Sequence, residues 1–485
     1  MKNIDTDQLL AASVGAFEIY QSTPFLKRAD FLDAIADEIT SLGDSLINQA
    51  HDETNLPVAR LVGERARTIH QLRMFAELLR EGSFVEASID TAIPDKNPPR
   101  PDIRKMLFPL GPVVVFGASN FPFAYSTAGG DTASALAAGC TVIVKGHPAH
   151  LKTSEMVAKA IGQAIAQHKL PEAVFQHVSD TSFETGKQLV QHKLTTAVGF
   201  TGSHSGGMAL FQYAATRPEP IPVFAEMGSV NPVLILPDAL SKQNALIAKQ
   251  YAASISLGMG QFCTNPGILI TVEGEGLPEF INALKEAFKA VEPMPMLHAG
   301  IHKAYQEKLQ NALAINEVET ISKIDGSTKA LTPDPVIATV SARNFISNPA
   351  LAEEIFGPYS ILIRAENMDE LKAAWLALKG QLTTSLMGTE ADFEAYPWLQ
   401  DTARSIAGRI VYNGVPTGVE VCNSMFHGGP SPATTDARFT AVGIDGIKRW
   451  MRPVCFQQCP DYLLPDALKE ANPLKILRRK NGKME

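Results

Sequence analysis

The chain of 485 residues contains few cysteines, and their number and spacing exclude several kinds of site. The five cysteines, at positions 140, 263, 422, 455 and 459, are an odd count that does not fit a disulfide framework. None forms a Cys-x-x-Cys pair, so the sequence indicates neither a zinc ribbon nor a thioredoxin-like site, and we expect no bound metal. An arbitrary cysteine is usually a small buried hydrophobe, so a catalytic cysteine needs supporting context.

Long apolar runs, a targeting segment and a basic charge balance are also missing from the sequence. No stretch reaches the ~18 apolar residues that a membrane-spanning helix needs. The polar N-terminus, Met1–Asp5, lacks the basic and apolar regions of a signal peptide. The formal net charge of −8 disfavours nucleic acid and anionic membranes as partners. We therefore expect no nucleic acid partner, no membrane partner and a cytoplasmic location.

The order of helix-like and strand-like patterns predicts an α/β fold. Apolar residues recur at helical spacing from Thr6 to Gly82, and the proline-rich stretch Ser88–Arg104 is typical of an extended arm. Short apolar runs then alternate with helical patterns, which indicates a parallel sheet with crossover helices. The runs predicted as strands are Pro112–Gly117, Cys140–Lys145, Ala173–Val178, Thr196–Phe200 and Pro222–Ala225.

A second alternating region begins after Asn231 and indicates a second α/β domain. It contains the strand-like runs Val233–Leu236 and Gly267–Val272, so we place a domain boundary near Gly228. At the C-terminus, we expect the basic segment Arg478–Lys480 to be a solvated charged end without a function.

Cys263 is the cysteine with supporting context for chemistry. It follows Gly260 at a predicted junction between a helix and a strand, where a thiol can face a cleft near backbone N–H groups. As a thiolate it would attack a carbonyl carbon, and the resulting oxyanion needs hydrogen-bond donors. The side-chain amide of Asn120, in the turn after an earlier strand, is a candidate donor. Taken alone, such an asparagine would more often satisfy its own backbone.

Three further candidates lie where predicted strands end. Glu226 follows one strand, and an acid there faces the usual ligand crevice of an α/β sheet, where it can activate water. Gly202 and Ser203 join another strand to a helix, which favours an anion site although it is not a Gly-x-Gly-x-x-Gly fingerprint. Lys145 ends a third strand and could bind a ribose or phosphate oxygen. Taken singly, Glu226 would more often form an ion pair or helix cap, and Lys145 would face solvent.

Together, and in this order, six motifs resemble the aldehyde dehydrogenase family over nearly the whole chain. Each motif alone is weak, whereas their ordered agreement is specific. The motifs are Asn120-Phe121-Pro122, Lys145, Phe200–Ser203, Glu226–Gly228, Gly260–Cys263 and Glu354–Pro358.

The resemblance implies an aldehyde dehydrogenase-like α/β fold with three parts. A Rossmann-type domain that binds the nicotinamide cofactor would comprise residues 1–87 and 106–228. An α/β catalytic domain would comprise residues 229–440. A small oligomerisation arm and C-terminal segment would comprise residues 88–105 and 441–485, so we expect a homodimer or homotetramer.

The resemblance also implies a role for each motif residue. Cys263 matches the nucleophile, Glu226 the general base and Asn120 the oxyanion donor. These residues would convert an aldehyde substrate to a carboxylate through a thiohemiacetal and a thioester, with NAD(P) as oxidant. The expected cofactor contacts are Lys145, Ser119, Gly202, Ser203, Gly228, Glu354 and Phe356, and the expected substrate contacts are Phe121, Phe123 and Phe262.

Departures from the family pattern narrow the choice of cofactor and substrate. The residues after Lys145 lack the acid that NAD-preferring members often place three positions on, so NADP is the expected cofactor and NAD the alternative. The stretches Val411–Cys422, His427–Pro430 and Arg452–Cys455 resemble the branch that oxidises 2,5-dioxovalerate to 2-oxoglutarate. A carboxylate substrate needs a basic pocket, but no arginine for it stands out in the sequence.

Other interpretations stay open at this point. The substrate could be a fatty or another aldehyde, or the thioester could pass to coenzyme A, which the presence of Glu226 argues against. A cysteine acyl hydrolase without nicotinamide would need a histidine base near Cys263, for which His204 and His427 are candidates. A non-catalytic relative would have lost the nucleophile or the base, and both residue types are present.

Overall fold

The computed structural model describes residues 4–326 and 329–485, and its N-terminal part is helical as expected. The side chain of Asp5 caps the first helix by accepting a hydrogen bond from the backbone N–H of Gln8 at 2.9 Å. The fourth helix ends at Gly82, whose φ of 83° suits a left-handed C-cap. The α-helices of the described residues are α1 (Thr6–Tyr20), α2 (Phe25–Ser41), α3 (Gly43–Thr54), α4 (Val58–Glu81), α5 (Gly130–Ala138), α6 (Leu151–Gln167), α7 (Phe183–Gln191), α8 (His204–Ala215), α9 (Pro237–Ser256), α10 (Leu277–Lys289), α11 (Ala299–Leu313), α12 (Ala342–Ser347), α13 (Met368–Leu376), α14 (Glu390–Ala395) and α15 (Trp398–Ile406).

The strands of this part of the chain form three sheets. They are β1 (Ser88–Asp90), β2 (Ile103–Pro109), β3 (Val113–Phe116), β4 (Val142–Lys145), β5 (Phe175–Val178), β6 (Ala197–Thr201), β7 (Val223–Glu226), β8 (Val233–Ile235), β9 (Ile268–Val272), β10 (Glu319–Lys323), β11 (Val336–Ser341), β12 (Tyr359–Ala365), β13 (Gln381–Met387), β14 (Ala407–Tyr412), β15 (Met451–Gln457), β16 (Arg479–Lys480) and β17 (Lys483–Met484).

The first parallel sheet has the strand order β5-β4-β3-β6-β7. Its strands read as continuous apolar runs rather than alternating ones because helices cover both faces, and Val113 and Val114 of β3 are fully buried. The chain leaves β3 in one direction for β4 and returns on the other side as β6. Ligands bind outside the carboxyl ends of strands at such a reversal, where Lys145, Thr201 and Glu226 end their strands.

The second sheet has the order β10-β11-β12-β9-β8-β13-β14, and all its pairs are parallel except β10 with β11. Cys263 lies directly before its central strand β9. The carboxyl end of β7 in the first sheet and the approach to β9 in the second therefore both contribute to one region. The domain bounds that the resemblance implies stay a prediction.

The third sheet has the order β15-β2-β1-β16-β17 and contains the C-terminus. The expectation that Arg478–Lys480 is a solvated charged end is wrong for Arg478 but holds for Arg479, whose side chain is exposed although Arg479 and Lys480 pair with Ser88 and Ile89 of β1. Arg478 is 3% exposed, and its guanidinium donates to the backbone oxygens of Lys469 and Glu470. Strand pairing and carbonyl acceptors thus order a segment whose charge alone suggested exposure.

In the described ranges, 4–326 and 329–485, we find no helix with the length and apolar character needed to cross a membrane.

Candidate active site

The turn that carries Cys263 depends on glycine. It lies between a short 3₁₀ segment, Leu257–Gly260, and β9. Gly260 has a φ of +63°, and a Cβ at this position would lie 2.0 Å from the carbonyl oxygen of Gly357. Only glycine permits this approach. The close contact brings the segment Glu354–Pro358 against the cysteine turn and so joins two of the sequence motifs.

Cys263 lies beside a histidine and an acid. Its Sγ is 3.5 Å from Nε2 of His427, and the same Nε2 is 2.9 Å from Oε1 of Glu226. Both neighbours are buried, with exposed fractions of 1% for His427 and 4% for Glu226. The tertiary structure therefore brings together a thiol, an imidazole and a carboxylate, between which a proton can move.

Burial and the negative charge of Glu226 raise the pKa of Cys263 well above the usual range of a thiol. The positive charge of Arg67 opposes this shift, and the charge of Glu354 adds to it. The thiol is therefore protonated at neutral pH when no ligand is bound. Its proton must be removed before Sγ can attack a carbonyl carbon, and His427 and Glu226 are the basic groups beside it.

Asn120 lies beside the cysteine turn, as the oxyanion role requires. Its Nδ2 donates a hydrogen bond of 3.1 Å to the backbone oxygen of Gln261, two residues before Cys263. The backbone oxygen of Asn120 accepts a hydrogen bond of 2.6 Å from Nη2 of Arg60. Because an amide nitrogen carries two hydrogens, one of them stays available for an oxyanion formed at Cys263.

Two of the three predicted substrate phenylalanines pack against each other next to the nucleophile. The rings of Phe121 and Phe262 are 5.6 Å apart in an edge-to-face arrangement. The guanidinium of Arg60 lies over both rings, 5.0 Å from the centroid of Phe121 and 4.6 Å from that of Phe262. The side chain of Phe123 is 2% exposed, and its backbone N–H donates to Oε1 of Glu64 at 2.9 Å. The ring of Phe123 is thus almost inaccessible, and the hydrogen bond of its backbone N–H holds Glu64.

Predicted cofactor residues lie at the carboxyl ends of β4 and β6. Nζ of Lys145 donates a hydrogen bond of 2.8 Å to the backbone oxygen of Asp180. The backbone N–H of Gly202 donates to the backbone oxygen of Glu226 at 3.0 Å, which connects this loop to the predicted general base. Ser203 is exposed and caps α8 by accepting from the N–H of Gly206 at 3.2 Å. The amide-rich start of α8 is thus open to an anion.

Gly228 and Glu354 make a close contact that needs glycine. A Cβ on Gly228 would lie 2.3 Å from Oε2 of Glu354, and Oε1 of Glu354 accepts from the backbone N–H of Ser229 at 3.4 Å. Burial raises the pKa of Glu354 to about 7. Glu354 lines a small cavity together with Phe262 and Phe356. This cavity therefore connects the predicted cofactor residues to the side of the cysteine turn.

These groups fit a nicotinamide dinucleotide. The open N-terminus of α8 suits a pyrophosphate, and the carboxylate of Glu354 suits the hydroxyls of a ribose. Ser119 is half-buried in the turn directly before Asn120, between β3 and α5. The contacts of these residues with a cofactor stay predictions.

Comparison with known proteins decides the family. A sequence model of the aldehyde dehydrogenase family matches residues 1–429, which include every site residue named above. The chain belongs to the aldehyde dehydrogenase family. It is therefore an oxidoreductase, and members of this family use NAD(P).

Two relatives of this chain share high sequence identity with it. α-Ketoglutaric semialdehyde dehydrogenase 2 of Azospirillum brasilense is 47% identical over 99% of the chain and 92% of the relative. α-Ketoglutaric semialdehyde dehydrogenase of Acinetobacter baylyi is 45% identical over 99% of the chain and 91% of the relative.

Solved structures confirm the expected fold. A point mutant of betaine aldehyde dehydrogenase from Staphylococcus aureus, in complex with NAD+, superposes with a TM-score of 0.79 over 94% of this chain and 90% of that one, at 18% identity. A 1-pyrroline-5-carboxylate dehydrogenase superposes with a TM-score of 0.77 over 93% of this chain and 85% of that one, at 19% identity.

Sequence reasoning listed His427 only as a base for a hydrolase without nicotinamide, an interpretation that these comparisons do not support. Of the two histidines that were candidates for a base, His427 lies next to Cys263, whereas His204 is exposed at the start of α8. The stretch His427–Pro430 was noted for its resemblance to one branch of the family, but nothing local links His427 to Cys263, which is 164 residues away in the sequence. The donor atoms of Glu226, Cys263 and His427 lie within 4.8 Å of one another, so they could also hold a zinc-like ion.

Proposed function

We propose that this enzyme oxidises 2,5-dioxovalerate, which is α-ketoglutaric semialdehyde, to 2-oxoglutarate with NAD(P). The observation that carries the proposal is the identity of 47% and 45%, over 99% of the chain, to the two α-ketoglutaric semialdehyde dehydrogenases. The contact of Cys263 with His427 and Glu226 supports it, because oxidation through a thioester needs a nucleophile next to a base.

Attack on the aldehyde begins with loss of the Cys263 proton. In the proposed step, Nε2 of His427 receives the proton across 3.5 Å, and the carboxylate of Glu226 at 2.9 Å stabilises the imidazolium. Sγ then forms a bond to the aldehyde carbon, and the π electrons of the carbonyl move to its oxygen. The backbone N–H of Cys263 and the side-chain amide of Asn120 donate hydrogen bonds to this oxyanion.

A bound nicotinamide supplies the oxidation by accepting a hydride from the thiohemiacetal carbon. The protein's part is to hold the dinucleotide beside Cys263. We assign the pyrophosphate to the N-terminus of α8 at Gly202 and Ser203, and the riboses to Lys145 and Glu354. Ser119, Gly228 and Phe356 complete the predicted cofactor contacts.

Release of the product requires water. Glu226 removes a proton from a water molecule, whose oxygen attacks the thioester carbonyl, and His427 keeps the proton from Cys263 until the sulfur leaves and takes it back. The carbon–sulfur bond then breaks, its electron pair returns to Sγ, and the carboxylate leaves. The 4% exposure of Glu226 keeps this base in surroundings that admit few water molecules.

We further propose a preference for NADP. The residues Gly146-His147-Pro148 contain no acid that would repel a 2′-phosphate. Nε2 of His177 lies 2.9 Å from the place of a Cβ on Gly146, so two imidazoles and the Lys145 ammonium surround this turn. Burial lowers the pKa of His147 to about 3, and a neutral imidazole can still donate one hydrogen bond to a phosphate. The negative charge of Asp180 acts on Lys145 and so offsets part of the positive charge that would attract a 2′-phosphate. NAD is therefore the alternative cofactor.

A homo-oligomer built through the third sheet is also proposed. Strand β15 lies at the edge of this sheet, and an unpaired edge is a template for pairing with another chain. Large apolar side chains on the C-terminal segment are exposed, among them Tyr462 at 79% and Leu463 at 61%. Light scattering of the purified protein measures the expected dimer or tetramer. A monomer at working concentration would contradict this proposal, and the cytoplasmic location stays a prediction.

The substrate and cofactor are tested together by following the absorbance of reduced nicotinamide. The panel contains 2,5-dioxovalerate, succinic semialdehyde, glutaraldehyde and medium-chain aldehydes, each with NAD and with NADP. We expect the highest kcat/KM for 2,5-dioxovalerate with NADP, and 2-oxoglutarate as the product without coenzyme A. A higher kcat/KM for a medium-chain aldehyde would contradict the substrate, and turnover that needs coenzyme A would contradict the hydrolytic step.

A further inference from the structure

Two guanidinium groups near Cys263, those of Arg60 and Arg67, form no ion pair within the described residues. Arg60 and Arg67 are seven residues apart and lie on the same face of α4. Nη1 of Arg60 and Nε of Arg67 are buried and make no hydrogen bond in the described residues. Within residues 4–326 and 329–485, neither guanidinium has a carboxylate oxygen within 4.0 Å. Each arginine therefore has a buried N–H donor that neither a hydrogen bond nor an ion pair uses.

Both arginines contact the aromatic residues that surround the cysteine turn. Arg60 lies over the ring of Phe262, which directly precedes Cys263, at 4.6 Å from the centroid. Arg67 lies over the ring of Tyr125 at 5.2 Å, and its Nη2 donates to the phenolic oxygen at 3.1 Å. The charge of Arg67 also acts on Cys263, whose pKa burial raises and Arg67 lowers. These contacts place both cations on the substrate side of the turn.

Glu64, between the two arginines on the same helix face, neutralises them only in part. Its Oε1 accepts hydrogen bonds from the backbone N–H groups of Phe123 at 2.9 Å and Ala124 at 3.0 Å. Its Oε2 has no hydrogen-bond partner among the described residues, and burial raises the pKa of Glu64. Two cations thus share a helix face with one acid whose ionised form is disfavoured, and the next acid, Glu226, lies beside His427 and Cys263. The local excess of positive charge suits an anionic ligand.

Arg409 of β14 adds a third guanidinium to this region. It donates hydrogen bonds to the backbone oxygens of Pro416 and Gly418, and its charge acts on both Cys263 and Tyr125. Its hydrogen bonds are used to hold the loop after β14. Nε of Arg409 is also buried without a hydrogen bond in the described residues, but both terminal nitrogens hold the loop, so we regard Arg409 as a positioning residue.

We propose that Arg67 and Arg60 bind the carboxylate group of the substrate, at the end opposite to the aldehyde, and so select carboxylate-bearing aldehydes over neutral ones. The assignment rests on the proposed function, in which the substrate is a short 2-oxo acid. A planar guanidinium matches the two oxygens of a carboxylate with two parallel N–H donors. The four carbon–carbon bonds between the aldehyde and carboxyl carbons span ~5 Å when extended. The rings of Phe121 and Phe262 would enclose the methylene groups between them.

The test compares two aldehydes of equal carbon number, 2,5-dioxovalerate and pentanal, in the full-length enzyme. For Arg67→Met we expect the ratio of their kcat/KM values to fall about 100-fold, because a buried carboxylate loses its charged donor. Arg60→Met should lower the same ratio. Arg67→Lys should lower it less, since an ammonium keeps the charge but loses the paired donors. The control is Arg73→Met on the same helix, whose guanidinium is exposed and pairs with Asp37.

Equal losses for both aldehydes in Arg67→Met would overturn the assignment, because they would mean that the arginine acts on the Cys263 thiolate or on folding. Binding of 2-oxoglutarate gives a second readout without turnover. It should raise the melting temperature of the unmodified enzyme and of Arg73→Met but not of Arg67→Met. If Arg67→Met does not fold, Arg60→Met and Arg67→Lys decide, and an unchanged ratio in both overturns the assignment.

Succinic semialdehyde, a shorter carboxylate aldehyde, separates this assignment from the substrate proposed above. A higher kcat/KM for succinic semialdehyde, with the same selective loss in Arg67→Met, would support the arginines and contradict 2,5-dioxovalerate as the substrate. A kcat/KM for pentanal equal to or above those of both carboxylate aldehydes in the unmodified enzyme would overturn the assignment of the arginines.

Discussion

Cys140 and Cys263 each lie shortly before a buried parallel strand, and burial raises the thiol pKa of both. Cys140 is fully buried, its pKa is raised to about 11, and its Sγ donates to the backbone oxygen of Trp450 at 3.4 Å. Cys263 is half-buried, and its Sγ lies 3.5 Å from Nε2 of His427.

Thiol acidity alone therefore does not distinguish Cys263, the predicted nucleophile, from Cys140. Both resting thiols are protonated at neutral pH, so neither is activated by its own environment. The difference lies in the neighbours: Cys140 has a carbonyl oxygen that can only accept its proton in a hydrogen bond, whereas Cys263 has an imidazole and a carboxylate that can remove it.

Substitution of the sulfur gives the largest expected effect and tests the comparison directly. Cys263→Ser should lower kcat by about 10⁴-fold or more, because the covalent intermediate cannot form. Binding of NADP, followed by fluorescence titration, should survive. The matched control Cys140→Ser should keep its kcat and lose ~1–2 kcal/mol of unfolding free energy, since it buries a more polar group. Equal loss of activity in both variants would contradict the view that the neighbours of Cys263 distinguish it from Cys140.

Removal of the carboxylate should give the next largest effect. Glu226→Gln should release one burst of reduced nicotinamide per active site and then slow to a rate about 10³-fold below that of the unmodified enzyme, because thioester hydrolysis lacks its base. Rapid mixing with 2,5-dioxovalerate measures the burst and the steady state separately. A steady-state rate equal to that of the unmodified enzyme would remove Glu226 from the role of base.

Replacement of the imidazole should affect an earlier step. His427→Gln should slow the burst itself by about 10²-fold, because the Cys263 proton loses its immediate acceptor. The same rapid-mixing measurement distinguishes this outcome from that of Glu226→Gln. His204→Gln, at the exposed histidine, is the control and should keep the burst rate. A full-rate burst in His427→Gln would show that Glu226 removes the thiol proton without the histidine.

A smaller effect concerns Glu354, an acid that influences Cys263. Burial raises its pKa from 4.5 to about 7, so its carboxylate form becomes populated as the pH rises through 7. Because only that form accepts two hydrogen bonds from ribose hydroxyls, the Kd for the cofactor should fall up to about tenfold between pH ~6 and ~8. Fluorescence titration across this range measures the slope. The slope should vanish in Glu354→Gln, and an unchanged slope there would assign it to another group.

Much of the first sheet was predictable from the sequence. The apolar runs around Val113–Phe116, Val142–Lys145 and Ala197–Thr201 are short and uninterrupted, as strands covered on both faces must be. The sequence also shows glycines in the cysteine turn and before Ser229, but it does not show why glycine is needed there. The structure supplies it, because Gly260 and Gly228 leave room for Gly357 and Glu354.

The partners of the nucleophile were not predictable in the same way. His427 stands in a stretch that resembles one branch of the family, but nothing local pairs it with Cys263. Arg60 and Arg67 resemble ordinary charged residues of a helix until the face of α4 is placed against Phe121 and Phe262. The burial of Arg478 was not predictable for a similar reason. Charge predicts exposure only where no backbone carbonyl group is placed to accept the hydrogen bonds of the side chain.

The sequence by itself determined the alternation of strands and helices and the family, and it singled out Cys263 and Glu226 as candidates, because apolar period and ordered motifs are local properties of the chain. Tertiary structure alone decided which imidazole lies beside the sulfur and which arginines of the described residues keep unused donors near it. These depend on how two sheets and one helix pack, and packing brings together residues that share no sequence neighbourhood.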